Sequence, residues 1–110
     1  MKIFKERLKT MNNPVLSRLG LARKAGKLSI GTEAVFLAVE KKISRLVLIS
    51  SEISNKTEKE LRFKAKENIL VLRTPFTTFD ISHAVGVKAG IVSVNDNGFA
   101  EAIKSLSETE

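Results

Sequence analysis

Four short apolar segments of strand length punctuate this chain, and between them the apolar residues recur at helical spacing. The clearest segment is Arg45 to Ser50, RLVLIS, a nearly continuous apolar run of the kind found in strands covered on both faces. Ile69 to Leu72 and Ile91 to Val94 repeat the pattern, and Leu28 to Ile30 is a shorter extended piece. The connections are too long for hairpin turns. Strand and helix therefore alternate, which predicts an α/β protein: a three-layer α/β/α sandwich around a small, largely buried sheet of about four strands.

The helical segments carry their own start and stop signals. Asn13-Pro14 supplies an N-cap and a first-turn proline, Val15, Leu16, Leu19 and Ala22 form the apolar stripe, and Gly26 is a left-handed stop. Gly20 within this helix costs up to about 1 kcal/mol against Ala, so it marks a close packing contact. Gly31-Thr32 opens a second helix reaching about Lys42. Its core face is Val35, Phe36, Val39 and Ile43, with Glu33, Leu37 and Glu40 on the opposite side. Asn55 with Glu58 three residues on resembles a capping box for a polar helix to about Glu67, packed through Leu61, Ala65 and Phe63. Thr77 or Thr78 caps a short helix carrying Phe79, Ile81 and Ala84, which stops at Gly86. Asp96 or Asn97 caps the last helix, with Phe99, Ile103 and Leu106 inward. The expected organisation is a basic tail over 1–13, one domain over 14–107 and a frayed end over 108–110. No repeat or low-complexity segment divides the chain.

Charge is segregated. Net charge is +7, and residues 1–27 carry all of it: eight Lys or Arg (Lys2, Lys5, Arg7, Lys9, Arg18, Arg23, Lys24, Lys27) against Glu6 alone. The remainder holds eleven of each sign. A neutral body with one basic end is the footprint of a nucleic-acid or anionic-surface binder, although a small domain also carries charge for solubility. With no Cys and a single His, thiol chemistry, disulfides and Cys- or His-rich metal sites are excluded. No apolar run approaches the roughly 20 residues of a membrane span and no signal-peptide pattern opens the chain, so a cytoplasmic location without membrane partners is expected.

The inventory for catalysis is thin. Asp80 and His83 stand three apart on a short helix, but no nucleophile in a recognisable motif accompanies them. The glycines fit neither GxxxxGK nor GxGxxG. No enzyme, no cofactor and no metal are expected. The second helix offers more. Its first amides lack internal partners and carry partial positive charge, which suits phosphate. Gly31 has no side chain to hold a nucleic-acid backbone away, Thr32 adds a hydroxyl, and Arg23, Lys24 and Lys27 lead up to it. On spacing alone, Gly31 reads equally as a permissive cap and Gly26 as a stop.

GLARKAGKLSIGTEAV, the following AVEKK, the strand LVLISSEIS, the AVG turn and the ending VNDNGFAEAI together resemble the kink-turn-binding ribosomal protein family. That family comprises large-subunit ribosomal proteins seven-Ae and thirty-e and their relatives; the small bacterial YlxQ-like branch is the nearest likeness. The resemblance covers about Pro14 to Leu106. It implies a thirty-e-like sandwich with a mixed sheet; separately, a monomer is expected. It also implies an RNA partner, possibly ribosomal, with a sharp bend flanked by sheared G·A pairs. In such proteins the start of helix two enters the widened groove at the bend, and a loop before the last strand covers an unstacked nucleotide. Mapped here, the first surface is Lys27, Gly31, Thr32, Glu33, Ala34 and Leu37, and the second is Val85, Gly86, Val87, Lys88 and Ala89.

This chain departs from the strong kink-turn binders at Glu33, Ala34 and Leu37, where they carry Asn, Glu and Lys. An Asn amide both donates and accepts, whereas an ionised Glu only accepts, and Leu37 replaces a cation. Weaker kink-turn binding is expected, resting on helix-two amides and cations. Two functions follow: an RNA-binding protein of the translation apparatus, or a protein-interaction module of the same fold docking to a ribosomal or transcription-associated partner through Leu37. A stand-alone relative of the RNA-recognition domains attached to some RNA methyltransferases is a third.

Overall fold

In the computed structural model, residues 13–108 are described. The basic segment before Asn13, including Lys2, Lys5, Arg7, Lys9 and the turn read at Ile3, Phe4 and Leu8, lies outside them. The elements are α1 (Pro14–Lys24), β1 (Leu28–Ile30), α2 (Thr32–Glu40), β2 (Leu46–Ile49), α3 (Asn55–Ala65), β3 (Leu70–Arg73), α4 (Thr78–Val85), β4 (Ile91–Val94) and α5 (Asn97–Glu108). The four strands form one mixed sheet in the order β1-β4-β2-β3. β4 is antiparallel to both β1 and β2, whereas β2 and β3 run parallel.

Strand alternation builds the three layers. Successive side chains of a strand point to opposite faces, so Leu46 and Leu48 of β2 join Val92 and Val94 against α1, α4 and α5 through Leu19, Ile81 and Ile103. Val47 and Ile49, with Val71 and Ile91, meet Val35 and Val39 of α2 and Leu61 and Ala65 of α3 on the other face. All four β2 residues are fully buried, as the unbroken apolar run predicts. Asn13 caps α1 through the Val15 amide (2.8 Å), and Val15, Leu16, Leu19 and Ala22 are buried. A Cβ on Gly20 would stand 3.1 Å from the Ala84 carbonyl, so this glycine sets the close approach of α1 to α4.

Several sequence expectations need correction. α2 ends at Glu40, two residues short of Lys42, which adopts a left-handed φ of 61°. The turn swings Ile43 off the core face, leaving it 45% exposed. The cap of α3 is Ser54, whose hydroxyl accepts from the Thr57 amide at 3.2 Å, and not Asn55. Glu58 is drawn instead to Arg62 and Arg73. Phe63, read as a core contact, is 78% exposed, and Phe79 of α4 is 63% exposed. Phe63 lies two residues from both Leu61 and Ala65, and Phe79 two before Ile81, about 200° round the helix from those inward positions. The short helix is capped by Thr77 in a complete capping box with Asp80, and Asp96 caps α5 through the Phe99 amide (2.9 Å). No helix among the described residues is long and apolar enough to cross a membrane.

Candidate nucleic-acid interface

β1 is only three residues long, so the chain leaves α1, crosses one edge of the sheet and enters α2 within a few steps. Gly31 makes that entry with φ 96° and ψ 159°, a region essentially confined to glycine. A Cβ placed there would meet nothing within 4 Å. The open space is what a backbone approaching from outside would need; the positive φ is what the turn needs. Among the described residues no side chain caps α2. Its first intrahelical bond runs from the Val35 amide to the Gly31 carbonyl (3.0 Å), so the amides of Thr32, Glu33 and Ala34 point outward without an acceptor inside the helix.

The Gly31 amide itself donates to the Ile91 carbonyl at 3.0 Å. This bond sets the start of α2 beside the residues that lead into β4, so the two surfaces mapped from the sequence are neighbours. The loop between α4 and β4 is tightly held. Gly86 ends α4 in a left-handed conformation (φ 81°). The Ser82 hydroxyl then donates to the Thr78 carbonyl (2.6 Å) and accepts from the Ala89 amide (2.9 Å). Behind the loop, Gly90 packs so closely that a Cβ would stand 2.8 Å from the Thr78 hydroxyl.

The mapped residues therefore divide. Thr32, Glu33 and Leu37 are exposed on α2, with Leu37 at 49% turned away from the core as its position on the helix requires, while Ala34 is half-buried. In the loop, Gly86, Val87 and Lys88 are exposed, but the side chains of Val85 and Ala89 are buried. Those two, mapped through the family resemblance, can offer only backbone atoms to a ligand, because their side chains pack inward. Lys24 and Lys27 are exposed. Lys27 stands at the far end of β1 from Gly31, about 13 Å away at the rise of a strand. Arg23, also exposed, donates from Nη1 to the Val85 carbonyl (2.6 Å), a tie between α1 and the root of the loop that no sequence spacing signals. Glu33 is the acidic residue in the first turn of α2, where it complements the helix dipole and opposes an anion.

The remaining titratable pair is occupied structurally. Asp80 Oδ2 accepts from the Thr77 amide (3.0 Å), and His83 lies against Phe79 with ring centroids 6.2 Å apart and planes at 28°. This ring pair was not legible in the sequence, where Phe79 stands only as one of the apolar residues the short helix carries.

Similarity to known proteins agrees with this architecture. An Enterococcus faecium protein described as RNA-binding protein YlxQ is 28% identical over 93 residues, covering 84% of this chain and 90% of its own. A solved structure of a protein of unknown function from Bacillus halodurans superposes with a TM-score of 0.83 at 30% identity, covering 88% of this chain and 99% of that one. The Giardia lamblia 15.5kD RNA binding protein shares the fold, with a TM-score of 0.68 at 11% identity over 86% of this chain and 82% of its own. The sequence model of the ribosomal protein L7Ae/L30e/S12e/Gadd45 family matches residues 14–104, and the chain belongs to that family.

Proposed function

We propose that this protein binds RNA at a sharp, kink-turn-like bend, in ribosomal or other translation-associated RNA, through the start of α2 and the loop before β4. The observation that carries the reading is the uncapped start of α2 at Gly31, with open space above its Cα and a bond to Ile91 that sets the loop alongside. Exposed amides of a helix start hold phosphate; the exposed Lys88 lies in the adjoining loop, and Lys24 and Lys27, farther off on α1 and before β1, are exposed to meet phosphates beyond the helix start. A regular A-form groove is too narrow to admit a helix end, whereas a kinked, widened one is not. Family membership and the name of the Enterococcus faecium relative support RNA as the ligand. The family description supports a ribosomal setting.

The test is a titration with a kink-turn RNA and with a straight duplex of equal length. Tighter binding to the kink-turn is expected; equal affinity would reduce the interaction to general phosphate attraction. Leu37→Lys is expected to strengthen kink-turn binding, and unchanged affinity would show that α2 does not face the RNA.

One observation favours a second reading. Leu37 is an apolar residue 49% exposed on the outer face of α2, as suits a protein-interaction module docking to a ribosomal or transcription-associated partner. A complex that survives nuclease treatment and is lost in Leu37→Asp would establish it.

A further inference from the structure

A groove of about 320 Å³ runs along the seam between α1 and α4, lined by Leu16, Ser17, Gly20, Phe79 and His83. That volume lies within the roughly 300–1,000 Å³ of small-ligand sites. One wall is the Phe79–His83 ring pair, and Phe79 presents most of its surface to solvent. The groove opens at its other end onto a second depression bordered by Arg23, Lys24 and Gly86. An aromatic wall beside cations is the arrangement on which single-stranded nucleic acid stacks its bases and rests its phosphates. Asp80, the acid at the Phe79 end, is engaged by the Thr77 amide.

We propose that the α1/α4 groove is a second RNA contact, which stacks an unpaired base on the Phe79–His83 wall and sets the adjoining phosphate on Lys24. Three observations select this occupant. The Phe79 and His83 rings stand side by side on the groove wall, 6.2 Å apart at 28°, so a base lying against them meets an aromatic surface wider than either ring alone. The net charge of the chain resides in residues 1–27, the same segment that supplies the cationic end of the groove. The Arg23 bond to the Val85 carbonyl joins the groove to the loop before β4, so one strand can run from one contact to the other. The inference rests on RNA being the ligand, as proposed above, but not on how α2 engages it.

The experiment uses the full chain with a kink-turn RNA and a straight duplex, each prepared blunt and with a short single-stranded extension containing 2-aminopurine. The extension is expected to tighten binding and quench the fluorophore. Phe79→Ala is expected to remove that gain, about five- to hundredfold for loss of one stacked base, while leaving affinity for the blunt RNAs unchanged. Phe79→Tyr is expected to retain the gain, which separates stacking from any loss of fold. Equal binding of extended and blunt RNA, as a protein occupant of the groove would give, overturns the proposal, as does a Phe79→Ala effect of equal size on both. Should kink-turn and duplex bind alike, the reading of α2 fails, but the comparison of extended with blunt duplex still decides this one.

Discussion

Arg23 and Lys24 are adjacent cations at the end of α1 with different duties: the Arg23 guanidinium donates to the Val85 carbonyl at 2.6 Å, while Lys24 is exposed on the rim of the α1/α4 groove. Val85 is the last residue of α4, where carbonyls lack helical partners and carry partial negative charge. Arg23→Ala is therefore expected to lower stability by about 1–2 kcal/mol, the low end for a charge-assisted bond because the side chain is exposed. Lys24→Ala should stay within about 0.5 kcal/mol. It should instead reduce the salt dependence of RNA binding by about one phosphate contact. Urea unfolding and affinity measured across a salt series separate the two; equal destabilisation by both substitutions would deny the division.

Ser82 is the clamp of the loop before β4. Its hydroxyl spans the Thr78 carbonyl and the Ala89 amide, and Ala89 is buried. Ser82→Ala leaves that amide without its partner, a cost of about 1–3 kcal/mol. The loss falls on a loop whose exposed residues, Val87 and Lys88, belong to the proposed RNA surface. Faster hydrogen exchange at Ala89 and weaker kink-turn binding are expected together. Faster exchange with unchanged affinity would show that RNA does not depend on the shape of this loop.

The fold was legible because its signals are local. The unbroken apolar run at β2, the Asn13-Pro14 start, the Gly86 stop and the spacing of Phe99, Ile103 and Leu106 each reflect one element's own burial pattern. The errors lie where tertiary geometry decides. Lys42 takes a left-handed turn that carries Ile43 outward, and Glu58 has the spacing of a capping box but is drawn to Arg73 from a neighbouring strand. Within the candidate site, Gly31 and Thr32 were visible as a helix start. The bond from Gly31 to Ile91, spanning sixty residues of sequence, was not. The burial of Val85 and Ala89 was equally hidden, since an apolar loop residue reads the same whether it faces a ligand or the core.

Gly31 offers a test of backbone against space. At φ 96° and ψ 159° a Cβ is strained although nothing stands within 4 Å of it. Gly31→Ala is expected to cost about 1–3 kcal/mol, the range for such backbone strain. Because the new methyl group projects into the space a phosphate would use, RNA affinity should fall even under conditions where the variant is fully folded. Affinity equal to that of the unaltered chain would indicate that RNA does not approach this point closely.

Glu58 makes the stability of the α3 side depend on pH. Its carboxylate is held below the usual range, first by the hydrogen bond from Arg62 (2.9 Å) and then by Arg73, with partial burial opposing. Arg73 also donates to the Ser51 and Ile53 carbonyls (2.9 and 3.3 Å), so the network ties β3 to the turn that leads into α3. A carboxyl whose folded pKa lies below its unfolded one stabilises the fold above the unfolded value, and this contribution is lost as pH falls through the folded value. Relative to Glu58→Gln, the unaltered chain should be more stable at pH 7 by about 0.5–1 kcal/mol, the scale of exposed ion pairs. That gap should narrow as pH falls below the ordinary carboxyl value of 4.5 and shrink in high salt. Urea midpoints of both proteins between pH 7 and pH 3 measure it. A gap that persists undiminished at pH 3 would assign the effect of Glu58 to packing and not to charge.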